Sequence, residues 1–353
     1  MNQEYHIDQY FKSSWNKKIS IWYQRNKRIL PWRKKQNQTF YKIWLSEVML
    51  QQTTVKTVIP YYNKFLKKWP TINNFFKAEE SEILKIWEGL GYYQRAKNLF
   101  LGKEFLKKNK IDINSIDLKK IPGVGDYISC SISAILNDED CAVIDTNIKR
   151  VISRAFNLAP GTALYEKKVK KIAQQLTPSK KNGEYCQALM DLANLICKIR
   201  NPGCFSCPIK LLCKGKNQEY GFPAKKKKRK QKYGIGFFIN HKNKFLVTNS
   251  KKKLLEGLYN LPTTNFKEIF DGDEKTLLRK ILLKWNLEYK FNINTNFDIF
   301  IKHQFSHFTL KLFIVNIKLH NKIYIKNCRW VDKAEFSKLP VSKLMMKIGD
   351  KVF

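Results

Sequence analysis

Apolar residues recur at helical spacing from residue 5 to about residue 215. Ile43, Trp44, Glu47, Leu50 and Gln51 share one face, Ile83, Leu84, Trp87 and Leu90 form a second stripe, and Ile128, Ile132 and Ile135 a third. The breaks between stripes are short, at Gly89 to Gly91, Pro122 to Gly125 and Pro160-Gly161. This region is predicted to be almost wholly helical. Beyond residue 232 the period changes to two. Residues 234–240 and 244–248 predict a hairpin around His241–Asn243, and Phe308, Leu310, Leu312 and Ile314 predict a further strand. Lys322 to Ile325 reads as one more strand, and Leu277, Leu278, Ile281, Leu282 and Trp285 mark an amphipathic helix. The expected order is an all-α domain over 1–217 and an α+β domain over 233–353. Between them, at 218–232, Pro223 precedes a run (225–230) in which every residue is Lys or Arg. Like charges at that density repel and do not pack, so the run predicts an exposed linker. It could also track DNA phosphates or, in a nucleated cell, act as an import signal.

Composition narrows the partners. With 353 residues, 43% of them hydrophobic, the chain can bury two cores. No apolar run reaches the length of a membrane span, and residues 1–14 lack the apolar stretch of an export signal. A soluble intracellular monomer is expected, cytoplasmic and nucleoid-associated if bacterial. Lys and Arg number 67 against 29 acids, a formal charge of +38, which favours a polyanion through counterion release. The abundance of Lys, Asn and Ile is also what AT-rich codons supply, so charge alone names no particular nucleic acid. Of eight cysteines, Cys130, Cys141, Cys186 and Cys328 are scattered and read as small unbonded hydrophobes, because an intracellular chain keeps its thiols reduced.

Four features carry chemistry. Pro122-Gly123-Val124-Gly125 precedes a helix expected to start near Asp126, and two glycines one residue apart expose backbone N–H groups where a phosphate can sit. About twenty residues on, Val143-Ile144-Asp145-Thr146-Asn147 places a carboxylate at a helix start, where it can cap the helix, act chemically, or do both. Cys197, Cys204, Cys207 and Cys213 are spaced C-x6-C-x2-C-x5-C, which suits a tetrahedral soft-metal site and leaves zinc and iron–sulfur both open. Glu47 sits within an apolar stripe, a setting that raises a carboxyl pKa and suits a general acid; a surface Glu is the alternative.

The hairpin followed by Val-Ile-Asp-Thr-Asn resembles the helix-hairpin-helix DNA glycosylases, the group of endonuclease III and MutY. The segments Leu30-Pro31-Trp32-Arg33 and Trp44 to Thr53 resemble the MutY branch, which acts on adenine opposite 8-oxoguanine. The resemblance implies that Asp145 stabilises positive charge at C1′ of an extruded nucleotide and that Glu47 protonates adenine N7 and later activates water. Tyr127 and Asn147 complete the catalytic set. Tyr127 stands where the endonuclease III branch has its Schiff-base lysine, so no β-lyase activity is expected, and the Tyr form is implied to bond the Asp. Arg28, Trp32, Leu50 and Val55 match the adenine pocket. Gln51, Gln52, Thr53, Tyr92, Gly123 and Gly125 match DNA-contacting positions, and the four cysteines imply a [4Fe–4S] cluster in the cluster loop of the glycosylase fold. Gly257 to Pro262 resembles the start of a Nudix-type domain, but the helix run Arg279 to Trp285 holds no acid for Mg²⁺, so nucleotide hydrolysis is not expected. Phe305-Ser306-His307 resembles the loop that reads 8-oxoguanine. Two residues depart from the pattern: Thr146 replaces a Gly, and Asp126 puts negative charge beside the hairpin. The implied partner is double-stranded DNA with A:8-oxoG or A:G mispairs. The competing readings are an endonuclease III-like enzyme on oxidised pyrimidines, a non-catalytic DNA-binding or redox-sensing relic, and a Nudix hydrolase.

Overall fold

The structure, a computed structural model, describes residues 7–109, 117–161, 164–216, 229–249, 255, 257–268, 273–289, 297–305 and 307–352. The first part of the chain forms α1 (Gln9–Asn26), α2 (Phe40–Leu50), α3 (Val55–Lys68), α4 (Ile72–Phe75), α5 (Glu80–Ile86), α6 (Gln94–Asn109), α7 (Asp126–Asn137), α8 (Thr146–Ala155), α9 (Tyr165–Leu176) and α10 (Asn182–Leu195). There follow β1 (Lys230–His241), β2 (Lys244–Asn249), β3 (Tyr259–Asn260), α11 (Glu274–Tyr289), β4 (Phe300–Gln304), β5 (Phe308–Lys318), β6 (Cys328–Val331), α12 (Lys333–Lys338) and α13 (Lys343–Val352). The expected all-α part followed by an α+β part is found. Among the described residues no helix is long and apolar enough to cross a membrane.

The chain divides into two compact units, Met1–Lys77 with Asn98–Ala224, and Ala78–Lys97 with Lys225–Phe353. The segment Ala78–Lys97, helical by its own pattern, therefore groups with the second unit. Within it Lys85 Nζ donates to the Leu339 carbonyl at 3.0 Å and the Tyr93 hydroxyl to the Val341 carbonyl at 3.4 Å. No periodicity signals such long-range bonds. Most of the basic run, and of the expected linker, lies outside the described residues.

In the first unit, α1, α8 and α10 bring Trp15, Ile19, Val151, Ile152, Leu189 and Leu192 into one buried core. The Trp15 indole N–H donates to Tyr185 across it at 3.0 Å. The packing of α10 on α7 leaves no space at Gly183, where a Cβ would lie 2.6 Å from the Ala134 carbonyl oxygen and 2.8 Å from Ile135 Cα. Backbone cannot swing aside as a side-chain end can, so Gly183→Ala is expected to cost about 1–3 kcal/mol. A thermal melt lowered by several degrees would register it, and an unchanged melt would contradict this packing.

In the second unit the strand order is β3-β2-β1-β5-β4, with β6 also paired to β2. The expected hairpin is present, with Asn240 opposite Phe245 and His241 opposite Lys244. Strands β1 and β5 run parallel, from Lys230 opposite Phe308 to Asn240 opposite Lys318, and both faces are covered. Leu310, Leu312 and Ile314 face α12 and α13 through Phe336, Leu344 and Ile348. Phe313, Val315 and Ile317 join Ile235, Phe237 and Ile239 against Leu278, Ile281 and Leu282 of α11. The strand expected at Lys322 to Ile325 does not form; pairing begins at Cys328, and Ile325 is buried in the core beneath α11 without joining the sheet. A short apolar alternation reports burial and not strand pairing.

Candidate active site

The site lies in the first unit, where the buried helix α2 meets the hairpin and the starts of α7 and α8. The hairpin is the expected one. Gly123 has φ +83°, and a Cβ there would come within 2.5 Å of Asn98 Cβ, so conformation and space both require glycine. Gly125 precedes α7 in extended backbone and needs no such freedom. Asp126 is exposed and paired with Lys119 Nζ at 2.7 Å, so its charge beside the hairpin is partly neutralised by a neighbour.

Asp145 is the N-cap of α8. Its carboxylate accepts from the Ile148 N–H and from Asn147 Nδ2, each at 2.7 Å, so capping and a fixed orientation come together. Asn147 in turn accepts from Arg150 Nη1 at 3.2 Å. The segment leading to Asp145 is tied to α7 by a disulfide between Cys130 and Cys141, where unbonded cysteines were expected. Residues eleven apart in sequence face each other because the chain doubles back after α7, ending that helix at Asp138 in left-handed conformation.

Glu47, on α2, is 5% exposed, and the helix around it is buried on nearly every side. That burial pushes its carboxyl up to about 7; the hydroxyls of Tyr127 and Ser131 lower it, Asp145 raises it, and Arg33 lowers it. A carboxyl so placed holds its proton near neutrality, as a general acid requires. The Tyr127 hydroxyl is a neighbour of both carboxylates: it lowers Glu47, and the charges of Glu47 and Asp145 both act on it. Burial first, then the negative charges of Glu47 and Asp145, hold it well above its usual range, so it remains a donor.

The pocket wall was only partly legible. Arg28 and Arg33 both turn onto Asp191 of α10, which is fully buried. Arg28 Nε and Arg33 Nη1 each reach it at 2.7 Å, and the Arg28 N–H and Arg33 Nη2 each add a contact at 3.0 Å. Burial pushes the Asp191 carboxyl up, but Arg33 and Arg28 overcome this and hold it below the usual range. Sequence reading passed over Asp191; the signal was an acid inside the apolar run Leu189-Met190-Asp191-Leu192-Ala193. Asp191→Ala would strand two cations, and is expected to cost about 3–5 kcal/mol, seen as a lowered denaturant midpoint. Trp32 is buried edge-on to Tyr62, with ring centres 5.5 Å apart, while Leu50 and Val55 are half-buried nearby in sequence. Gln51 and Thr53 are half-buried after α2, and Gln52 is exposed with φ +56°.

Other expected contacts lie in the second unit. Gly89, Gly91 and Tyr92 all have positive φ, and this turn leaves the Tyr92 ring 45% exposed, with Arg95 5.4 Å from its centre. Phe305 packs inward on Phe308 at 4.8 Å, its N–H bonding the Phe308 carbonyl, and His307 is exposed. Ser306 lies outside the described residues. On α11, Glu274 is committed to Lys311 at 2.6 Å.

The iron–sulfur expectation is corrected. Among the described residues no three or more His, Cys, Asp or Glu side chains converge so as to hold a metal ion. Spacing counts residues along the chain; it does not guarantee that the thiols point at one centre. None of Cys197, Cys204, Cys207 and Cys213 is disulfide-bonded, and burial, then neighbouring Cys197, Cys213 and Cys204, push the Cys207 thiol up to about 12. The loop is held instead by α8. Arg150 Nε donates to the Cys197 carbonyl at 2.8 Å, Arg154 Nη2 to Ile199 at 2.8 Å, and the Lys214 N–H to Ala155 at 2.9 Å. The helix that starts at Asp145 thus braces this loop at its other end.

Residues 45–179 match the model of the HhH-GPD superfamily base excision DNA repair proteins, and residues 234–351 that of the NUDIX domain. An adenine DNA glycosylase of Buchnera aphidicola subsp. Schizaphis graminum is 32% identical over 350 residues, covering 94% of this chain and 96% of the relative. The human adenine DNA glycosylase is 35% identical over 209 residues, covering 56% of this chain and 38% of its own length. Among solved structures, a thermostable thymine-DNA glycosylase matches with TM-score 0.51 and 27% identity, over 58% of this chain and 95% of its own. The chain belongs to the adenine DNA glycosylase family, within the HhH-GPD superfamily of base excision DNA repair proteins.

Proposed function

We propose that the protein removes adenine mispaired opposite 8-oxoguanine or guanine in double-stranded DNA, by hydrolysis and without cutting the strand. The observation that carries this reading is Glu47, a buried carboxyl pushed up to about 7 with the Asp145 charge acting on it. In this account the first unit extrudes and cleaves the nucleotide, and the domain over 233–353 reads the opposite base through Phe305, Ser306 and His307. Glu47 protonates the departing adenine, and Asp145 stabilises the cation left at C1′. Arg28, Trp32, Leu50 and Val55 line the base pocket, while Gln51, Gln52, Thr53, Tyr92, Gly123 and Gly125 hold the duplex. Tyr127 bears no amine, so no imine with the sugar forms and the abasic product stays intact.

The test is a single-turnover panel of duplexes carrying A:8-oxoG, A:G, A:T or an oxidised pyrimidine. Fastest release from A:8-oxoG, slower release from A:G and none from the oxidised pyrimidine supports the reading. Preferential release of the pyrimidine would overturn it.

A further inference from the structure

We propose that Ser131 is a positioning residue for the catalytic acid: its hydroxyl donates to Glu47 and aims that carboxyl at the base. The inference rests on the reading of Glu47 as the acid.

Ser131 lies on α7 four residues beyond Tyr127, so the two side chains share one face of the helix, the face packed on α2. It is fully buried. Buried helical serines usually return their hydroxyl to a carbonyl in the preceding turn. Ser46 does so to Ile43 at 2.8 Å and Ser153 to Lys149 at 2.6 Å. Ser129, two residues away on α7, bonds the Asp126 carbonyl at 3.3 Å. Ser131 makes no such bond, and its Oγ has no well-formed hydrogen bond among the described residues. Glu47 Oε2 is buried in the same condition. Ser131 is one of the two hydroxyls that act on the Glu47 carboxyl, so a donor and an acceptor, both buried and both left over, are neighbours, and a buried polar group left unbonded is costly. The other unbonded donor on this stretch of α2, the Trp44 indole N–H, belongs to a ring that lies against Gly102 of α6.

This pairing divides the labour around one carboxyl. Tyr127 and Ser131 approach it from α7, Asp145 from the start of α8, Arg33 from the 3-10 turn Pro31–Arg33, and Cys186 from α10. The two hydroxyls lower a pKa that burial raises, with Asp145 raising it and Arg33 lowering it. Cys186, its own thiol pushed up to about 12, adds no charge near neutrality. Fixing Glu47 with two donors leaves it one defined direction in which to deliver its proton.

The experiment is the pH profile of single-turnover adenine release from an A:8-oxoG duplex, for wild type, Ser131→Ala and Ser131→Thr. Loss of a donor to the carboxylate raises the Glu47 pKa, so the protonated form persists to higher pH. The alkaline limb of Ser131→Ala is expected to move up by about half to one unit. Its plateau rate is expected to fall severalfold, while Ser131→Thr keeps the wild-type limb. An unmoved limb and plateau in Ser131→Ala would overturn the proposal. Glu47→Gln, run alongside, separates the two claims. An undiminished rate there removes Glu47 as the acid, whereas a large loss there with an unmoved Ser131→Ala profile overturns the role of Ser131 alone.

Discussion

Asp145→Asn is expected to lower single-turnover adenine release by about 10³-fold or more while leaving the fold intact. Asn caps a helix as well as Asp does, so the bond from the Ile148 N–H is kept and α8 still starts in place. What disappears is the negative charge beside the buried Glu47, the charge this account assigns to stabilising the developing cation. The substitution therefore separates the two roles that Asp145 combines. Thermal melting should stay within a degree or two of wild type as the rate collapses. Retention of the full rate would mean that Asp145 is a helix cap and nothing more.

Glu47→Gln is expected to cost about 10²–10⁴-fold, the range for removal of a general acid. The pH dependence is more diagnostic than the magnitude. Burial pushes the Glu47 carboxyl up to about 7, and only the protonated form can donate to the base. Wild-type release should therefore fall as pH rises through about 7, and the Gln variant, which cannot titrate, should lose that limb. The amide fills the same volume and meets the same Tyr127 hydroxyl, so misfolding is not the expected cause of its defect. A Gln variant with the same alkaline limb would assign that titration to another group.

Much of this was legible in the chain because local rules and tertiary structure agree. The hairpin needs Gly123 for reasons visible in Pro122 to Gly125 alone, and Asp145 caps α8 where an Asp before Thr-Asn should. Alternation along β5 and the stripe on α11 gave the second unit its layers. What stayed hidden depends on contacts between distant residues. Asp191 lies more than 150 residues from the two arginines it holds. Cys130 and Cys141 pair because α7 ends in a reversal that their spacing does not announce. The segment Ala78–Lys97 follows a helical rule but binds to partners beyond residue 330. The four cysteines show the converse, since a regular spacing carried no guarantee that four sulfurs would converge.

The most direct test of the central claim, that Glu47 and Asp145 together release adenine by hydrolysis, is to follow the product itself. Full-length protein in excess is incubated with a duplex bearing one labelled adenine opposite 8-oxoguanine, and free base and strand breaks are counted over time. The account predicts free adenine in step with abasic sites, strand breaks only after alkali, and neither from Glu47→Gln or Asp145→Asn within the wild-type reaction time. No adenine from folded wild-type protein, or breaks that accompany base release without alkali, would contradict it.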